Sequence, residues 1–200
     1  MNGEMNLSGS LGAIKISKPN AFWYRLRNHL RPGFIKGWIA KQAALGANKL
    51  FGVAVITQEL RAVLIHAGQS YDLGVLSYRS VTTAFVTFVT DQLQTETSVF
   101  GDFKYHDGGV GTTAENAADT AIETTDGESR ATGTQTESAA NAYRSVGTIS
   151  YTSTKAVTEH GLFNDSSAGT LMDRSVFSAI NVVNGDSIQF TYTITFTAGG

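Results

Sequence analysis

The chain has 200 residues, with no cysteine, only two prolines and only 16% charged residues. The absence of cysteine excludes a disulfide framework and any metal site built on thiolates. No apolar run is long enough to span a bilayer, and residues 1–20 lack the apolar core of a signal peptide. We therefore expect a protein that does not enter a membrane. Its hydrophobic content of 42% is enough for one sizeable core.

The usual signatures of a catalytic centre are also absent. No histidine lies in a zinc-ligand spacing such as HExxH, no GxSxG segment presents a serine nucleophile, and the glycine-rich stretch 107–113 has no phosphate-loop lysine. The carboxylates between 115 and 128 lack the spacing of a calcium-binding loop, so a solvated acidic loop is expected. The sequence thus predicts no catalytic residue, no metal site and no cofactor, and the protein is expected not to be an enzyme.

Two histidines stand next to a carboxylate in the sequence, His106 before Asp107 and His160 after Glu159. Neighbouring side chains of a strand point to opposite faces, so neither pair is expected to act jointly. We expect His160 to donate a hydrogen bond inside the folded protein instead.

The strongest structural signal lies near the end of the chain. Residues 188–196 alternate strictly between apolar and polar side chains, which is typical of a strand with one buried face. The pair Asn184-Gly185 separates this strand from a β-rich run over 176–183. Because Asn-Gly tolerates the positive φ angles of a type I′ turn, the pattern predicts a β-hairpin.

Five or six strands are expected from residue 99 onward. Candidate strands cover 99–106, 143–152, 155–163 and 170–183, with a turn predicted at 107–109. The stretch 109–142 should form a long loop with one short strand. This spacing predicts a mainly β fold, an antiparallel β-sandwich or jelly roll, as a domain of residues 99–200.

Residues 51–98 predict a β-hairpin followed by one more element. Runs of β-forming residues over 51–66 and 71–78 flank a turn at Gly68. Residues 81–93 fit both a helix and a strand, and their apolar spacing favours a helix capped near Ser80.

The first fifty residues differ in character from the rest. Residues 1–18 are rich in glycine, serine and asparagine and suggest an extended arm. Two short amphipathic helices, separated by Pro32-Gly33, are predicted between 19 and 48. Their aromatic and basic composition also suits a membrane-surface helix, but such aromatic stripes more often pack on protein. We expect residues 1–50 to form a basic arm outside the β-domain.

The net charge of −2 hides an uneven distribution. Residues 1–66 contain nine basic and two acidic residues, a balance of +7, and the remainder contains six basic and fifteen acidic residues, a balance of −9. Such asymmetry suggests an anionic partner: nucleic acid, a membrane, an acidic protein, or the acidic half of the same or a neighbouring chain. Protein ranks above nucleic acid, because the alternating aromatics belong to core strands and not to an exposed stacking platform.

Three sequence segments carry a family resemblance: EHGLF (159–163), TLMDRSVFSAINV (170–182) and GDSIQFTYT (185–193). In this order and spacing they resemble a group of small structural proteins of tailed-bacteriophage virions. The resemblance covers roughly Tyr78 to Gly200. It implies a β-sandwich or jelly-roll module that serves as a head-decoration (cement) protein, a head fibre or a tail-collar fibre.

Charge and resemblance together predict a non-enzymatic virion protein that is assembled in the host cytoplasm. The expected role is head decoration, in which residues 1–50 bind the major capsid protein or another virion protein and the β-domain forms dimers or trimers. A tail or neck fibre adaptor and a glycan-binding receptor module are the alternatives, while nucleic acid and membrane are not expected partners. The residues expected to contact the partner are Phe22, Trp23, Arg25, Arg27, Arg31, Phe34 and Trp38.

Overall fold

The computed structural model describes residues 20–78, 81–94 and 102–199. The predicted arm at 1–18, the cap at Ser80 and the strand start at Val99 lie outside these ranges. Within the ranges the chain forms three helices and nine strands. They are α1 (Ala21–His29), α2 (Pro32–Phe51), β1 (Val55–His66), β2 (Gln69–Ser77), α3 (Thr83–Gln94), β3 (Tyr105–Gly109), β4 (Ala131–Thr132), β5 (Thr134–Ala139), β6 (Ala142–Ser150), β7 (Lys155–Phe163), β8 (Leu171–Val182) and β9 (Ser187–Thr197).

The strands form two antiparallel sheets that pack face to face. The first sheet has the strand order β2-β1-β9-β6-β5, and the second has the order β4-β3-β7-β8. Both sheets contribute aromatic and aliphatic side chains to one apolar core between them. The prediction of a mainly β fold, an antiparallel β-sandwich, is confirmed. The strand order does not confirm the jelly-roll alternative.

Strand β9 lies at the centre of the first sheet. It pairs with β1 from Val55 to Ile65 on one side and with β6 on the other. The predicted alternation holds along most of the strand, because Ile188, Phe190, Tyr192 and Ile194 are all at most 1% exposed. Burial of these four side chains stabilises the centre of the sheet by an estimated ~1.5–3 kcal/mol each.

The hairpin predicted at Asn184-Gly185 is wrong. Strand β8 belongs to the second sheet and β9 to the first, so the two strands do not pair. The backbone explains the difference: only Gly185 has a positive φ, of 90°, and the amide of Asp186 donates to the carbonyl of Val183 at 3.0 Å. A type I′ turn needs positive φ at both central residues, whereas this type II geometry lets the chain cross between sheets.

A tight hairpin does form between β1 and β2. Its two turn residues, Ala67 and Gly68, have φ of 49° and 74°, as a type I′ turn requires. The predicted hairpin of residues 51–98 is therefore confirmed. However, β1 pairs with β9, so this hairpin is part of the sandwich. The sandwich begins at Val55, and the predicted start at residue 99 is too late because distant pairing has no local signature.

The helix favoured for residues 81–93 is confirmed as α3. Its first turn is capped by Thr82, whose Oγ1 accepts a hydrogen bond from the Phe85 amide at 3.1 Å. Phe85 and Phe88 both meet the ring of Phe103 edge-on, with centroids 5.2 Å apart. The helix therefore closes one end of the apolar core.

The turn predicted at 107–109 is also wrong, since these residues form β3. Their glycines allow close approach of other groups. A Cβ on Gly108 would lie 2.2 Å from Oδ2 of Asp126, and one on Gly109 would lie 2.5 Å from Oε1 of Glu159. The pattern indicates a turn by composition, but here glycine makes room for the loop that follows β3.

That loop, residues 110–130, is held against the outer face of the second sheet. The fully buried carboxylate of Glu159 accepts hydrogen bonds from the amides of Gly111 (2.9 Å), Glu123 (3.0 Å) and Thr124 (2.8 Å). It also accepts one from Nε of Arg174 at 2.7 Å. The guanidinium of Arg174 in turn pairs with two acidic side chains of the loop, Asp119 (3.0 Å) and Glu123 (3.2 Å).

The expected solvated acidic loop is thus corrected in part, because several of its carboxylates are bound within the molecule. At the far end of the loop, Glu128 forms an ion pair with Lys155. Acidic composition predicts exposure, but it carries no information about cations that lie fifty positions away.

Arg174→Leu should lower the free energy of unfolding by about 3–5 kcal/mol, because it leaves the Glu159 carboxylate buried without its cation. Urea denaturation followed by circular dichroism measures the change. Arg144→Leu is the matched control, since Arg144 is exposed on β6, and it should change the free energy by less than about 0.5 kcal/mol. Equal effects of the two substitutions would contradict the role of Arg174.

Candidate docking surface

The two predicted N-terminal helices are present as α1 and α2. Asn20 caps α1, its Oδ1 accepting from the Trp23 amide at 3.2 Å, as predicted. Pro32 occupies the first turn of α2, where its missing N–H costs nothing. Helix α2 is longer than predicted: it has 20 residues and ends where Gly52 adopts a left-handed φ of 63°.

The inner face of α1 closes the sandwich along one side. The edge strands there are β2 of the first sheet and β8 of the second. The side-chain amide of Asn28 donates to the carbonyls of Val75 (3.2 Å) and Leu76 (2.9 Å), and its Oδ1 accepts from the Ser178 amide at 3.0 Å. The hydroxyl of Tyr24 donates to the Ser178 carbonyl at 2.8 Å. Helix α1 therefore satisfies backbone groups on both edges, which would otherwise invite pairing with other chains.

Two of the predicted contact residues hold α1 in place. Arg25 forms an ion pair with Asp72 at 3.0 Å, and Arg27 donates to the Ala179 carbonyl at 2.9 Å. Arg31 is partly buried at the junction of α1 and α2. The structure thus makes α1 part of the sandwich, in contrast to the predicted boundary at residue 50.

The outer faces of the two helices expose many large apolar side chains. Phe22 and Trp23 are 66% and 62% exposed, and Trp38 is 49% exposed. Fifteen large apolar residues of the described chain are exposed; nine of them lie on α1 or α2, and a tenth, Leu30, caps the end of α1. These ten are Phe22, Trp23, Leu26, Leu30, Ile35, Trp38, Ile39, Leu45, Leu50 and Phe51. We call them the helix surface.

Helix α2 touches the body along a narrow line. Gly37 is its one buried residue, and a Cβ there would lie 1.9 Å from the carbonyl oxygen of Tyr78. Near the other end of the helix, the Asn48 amide donates to the carbonyls of Val53 (2.7 Å) and Ala198 (2.8 Å). The close approach at Gly37 leaves a cavity on each side of the helix.

One of these cavities is a recess of about 380 Å³ between α1, α2 and β2, which we call the helix groove. Phe34 forms part of its wall, stacked on His29 with centroids 4.5 Å apart and tilted against Tyr78 at 5.4 Å. Trp38 continues this wall, and Val75 contributes from β2. Two cations, Arg25 and Arg61, also line the groove, together with Asp72.

The second cavity, of about 350 Å³, lies on the opposite side of α2. Lys36 and Lys41 line it from the helix, and Glu115 and Arg174 line it from the second sheet and its loop. Nζ of Lys41 also forms an ion pair with Glu59 at 3.5 Å and lies 4.5 Å from the centroid of the Tyr78 ring. These two contacts hold the side chain of Lys41 in place.

The structure separates the predicted contact residues into three groups. Arg25, Phe34 and Trp38 meet at the groove, whereas Phe22 and Trp23 lie on the outer face of α1. Arg27 and Arg31 lie outside the groove lining. Sequence reasoning missed His29, Arg61, Val75 and Tyr78. His29 could have been found, because it lies three residues from Leu26 and four from Arg25 on one helical face.

A buried histidine pair is a further concentration of titratable groups. Nδ1 of His106 and Nε2 of His160 share a hydrogen bond of 2.9 Å, and Nε2 of His106 is 2.8 Å from Oγ of Ser145. The interior position predicted for His160 is confirmed. Both histidines are fully buried, so no substrate reaches them in this structure. Burial lowers the pKa of His106 to about 3 and also lowers the pKa of His160 well below its usual value.

In the described ranges, no three His, Asp or Glu side chains are grouped as metal ligands would be. No helix in those ranges has both the length and the apolar content to cross a bilayer. Comparisons of the chain with protein-family models, curated proteins and solved structures found no match.

Asn28→Leu should lower the free energy of unfolding by about 1–3 kcal/mol or more, because buried backbone groups on β2 and β8 lose their hydrogen-bond partner. Gln42→Leu, an exposed position on α2, is the control and should change it little. Urea denaturation compares the two. If Asn28→Leu is as stable as the control, α1 does not hold the edges as described.

The free energy of unfolding should fall as pH drops from about 6.5 toward 3. In this window the unfolded chain protonates His106 while the folded protein, with its lowered pKa, does not, so protons favour unfolding. Denaturation at a series of pH values should give a shallower slope for His106→Asn than for the unsubstituted protein. Gln42→Leu, at an exposed position without a titratable group, should keep the original slope. Identical slopes for all three proteins would rule out this account.

Proposed function

We propose that this protein is a non-enzymatic structural component of a tailed-phage virion, most simply a head-decoration protein that attaches through the helix surface. The observation that carries the proposal is the concentration of exposed large apolar side chains on α1 and α2. Soluble monomers rarely expose extended apolar patches, and large ones mark interaction sites. The resemblance to phage virion proteins supports a phage particle as the object to which the protein attaches.

Rigid support of the helices favours attachment over recognition by a loose arm. Asn28 and Tyr24 bind α1 to both sheet edges, and Asn48 binds the end of α2. The exposed aromatic side chains therefore sit on fixed backbone, which reduces the conformational entropy lost on docking. Large aromatic side chains also dominate the binding energy of many protein interfaces.

The proposed partner is the major capsid protein or another virion protein. On the particle, the proposed assembly is a dimer or a trimer. A tail or neck adaptor would use the same helix surface. A tag on Gly200, located by immunogold labelling of purified virions, distinguishes labelled heads from labelled tails or necks.

Substitution is a better test than deletion, because removing residues 1–50 would also uncover β2 and β8. The double variant Trp23→Ser/Trp38→Ser should fold normally, since both side chains are largely exposed, and its occupancy on purified particles should fall at least tenfold. Val86→Ser/Leu93→Ser is the matched control, because both residues are exposed apolar side chains on α3. Quantitative gel analysis of particles measures occupancy.

Control occupancy should stay within twofold of the original protein. Full occupancy of the Trp23→Ser/Trp38→Ser variant would overturn the proposed attachment through the helices. Turnover of a polysaccharide by the purified protein would overturn the non-enzymatic claim.

A further inference from the structure

We infer that the helix groove receives an acidic, apolar peptide segment of the partner: one large apolar side chain enters the recess, and a neighbouring carboxylate meets Arg61. This inference rests on the proposed function, because it names the chemistry of the surface that the helices meet. It adds a defined binding site to a surface that is otherwise described only as apolar.

The walls of the groove suit a large apolar side chain. The ring of Phe34 is held between His29 and Tyr78, and Trp38 lies one turn further along α2. The recess of about 380 Å³ lies near the lower end of the range for ligand sites, roughly 300–1,000 Å³. A ring or branched aliphatic group entering it would meet aromatic faces that need no rearrangement.

The helix surface continues the apolar character on both sides of the groove. On α1, Phe22 and Leu26 lie three residues from Arg25 and His29, which line the groove. On α2, Ile35 lies three residues before Trp38 and one turn from Ile39. A segment seated in the groove therefore finds further apolar contacts along its length.

The charges around the groove favour an acidic partner. Residues 21–51 contain six basic residues and no acidic residue. On the side of the sandwich, the carboxylate of Glu59 forms ion pairs with both Lys41 (3.5 Å) and Arg61 (3.2 Å), so two cations meet one carboxylate. The side chain of Arg61 is 48% exposed, which leaves donors for an incoming carboxylate. Complementary charge would both speed association and fix the orientation of the segment.

A second copy of the chain fits this surface less well. Nine of the fifteen carboxylates in the described residues lie within 3.5 Å of a basic side chain of the same chain. They are Glu59, Asp72, Asp102, Asp107, Asp119, Glu123, Glu128, Glu159 and Asp186. The body is acidic overall, but these nine carboxylates are committed within the chain and are less available to a twin molecule.

An anionic membrane also fits less well. A bilayer accepts a convex apolar face, but it cannot send a side chain into a recess between two helices. The ring of Phe34, held between His29 and Tyr78, would then gain little contact with lipid. A protein segment uses both the recess and its rim.

The test uses the full chain with Trp23→Phe, which leaves Trp38 as the single tryptophan and a fluorescent reporter at the groove. The probes are synthetic twelve-residue peptides with a central phenylalanine flanked by aspartates, by lysines, or by aspartates with the phenylalanine replaced by serine. We expect saturable change in Trp38 fluorescence with the first peptide and at least tenfold weaker binding of the other two.

Two substitutions that change the charge equally distinguish binding in the groove from a general electrostatic attraction. Arg61→Glu should weaken binding of the acidic aromatic peptide at least tenfold, because Arg61 lines the groove. Lys36→Glu, at the second cavity on the other side of α2, should weaken it less than threefold. Equal effects of the two substitutions, or no binding of the acidic aromatic peptide, would overturn the inference.

Two further measurements examine the competing occupants. A Trp38 response to phosphatidylglycerol vesicles without a response to the peptide would overturn the inference in favour of lipid. A dimer in analytical ultracentrifugation that Trp38→Ser dissociates would overturn it in favour of a second copy. Failure of this inference is distinguishable from failure of the proposed function. If Arg61→Glu keeps full occupancy on particles while Trp23→Ser/Trp38→Ser loses it, the acidic segment is ruled out. Attachment through the helices is then still supported.

Discussion

The hydrogen bonds of one buried asparagine connect the helices to the sandwich. Asn28 contacts carbonyls on β2 and an amide on β8, which are edge strands of different sheets. Both edges would otherwise present unpaired backbone groups to solvent and to other chains. Because α1 covers them, its inner face is committed to the fold and its opposite face remains exposed. The exposed apolar residues of α1 lie on that opposite face.

A second buried group organises the opposite region of the molecule. The carboxylate of Glu159 collects three loop amides and the Arg174 guanidinium, so an acidic segment with few apolar residues becomes ordered against the second sheet. Most carboxylates near it are neutralised within the chain. The basic helices keep their excess charge, and the molecule presents a cationic, apolar face beside a body that is acidic overall.

Local patterns predicted local structure well. The alternation in 188–196, the cap at Asn20 and the helical stripe of 81–93 all appear in the fold, because each depends on neighbours a few residues away. The predictions that failed concern structure that depends on residues distant in the sequence. Asn184-Gly185 has hairpin composition, but the sheet to which each flanking strand belongs is set by pairing with β1 and β7.

Only the helical side of the helix groove was predictable from the sequence. Its helical half, with Phe34 and Trp38, follows from spacing and composition, whereas Tyr78 and Arg61 reach the groove through the β1–β2 hairpin. Asn28 gave no signal, since its partners lie 47 to 150 positions away. A density map of the protein bound to its particle would test the central claim most directly. Our account predicts that α1 and α2 face the particle and that Trp23 and Trp38 become buried there; a map in which both helices face solvent would contradict it.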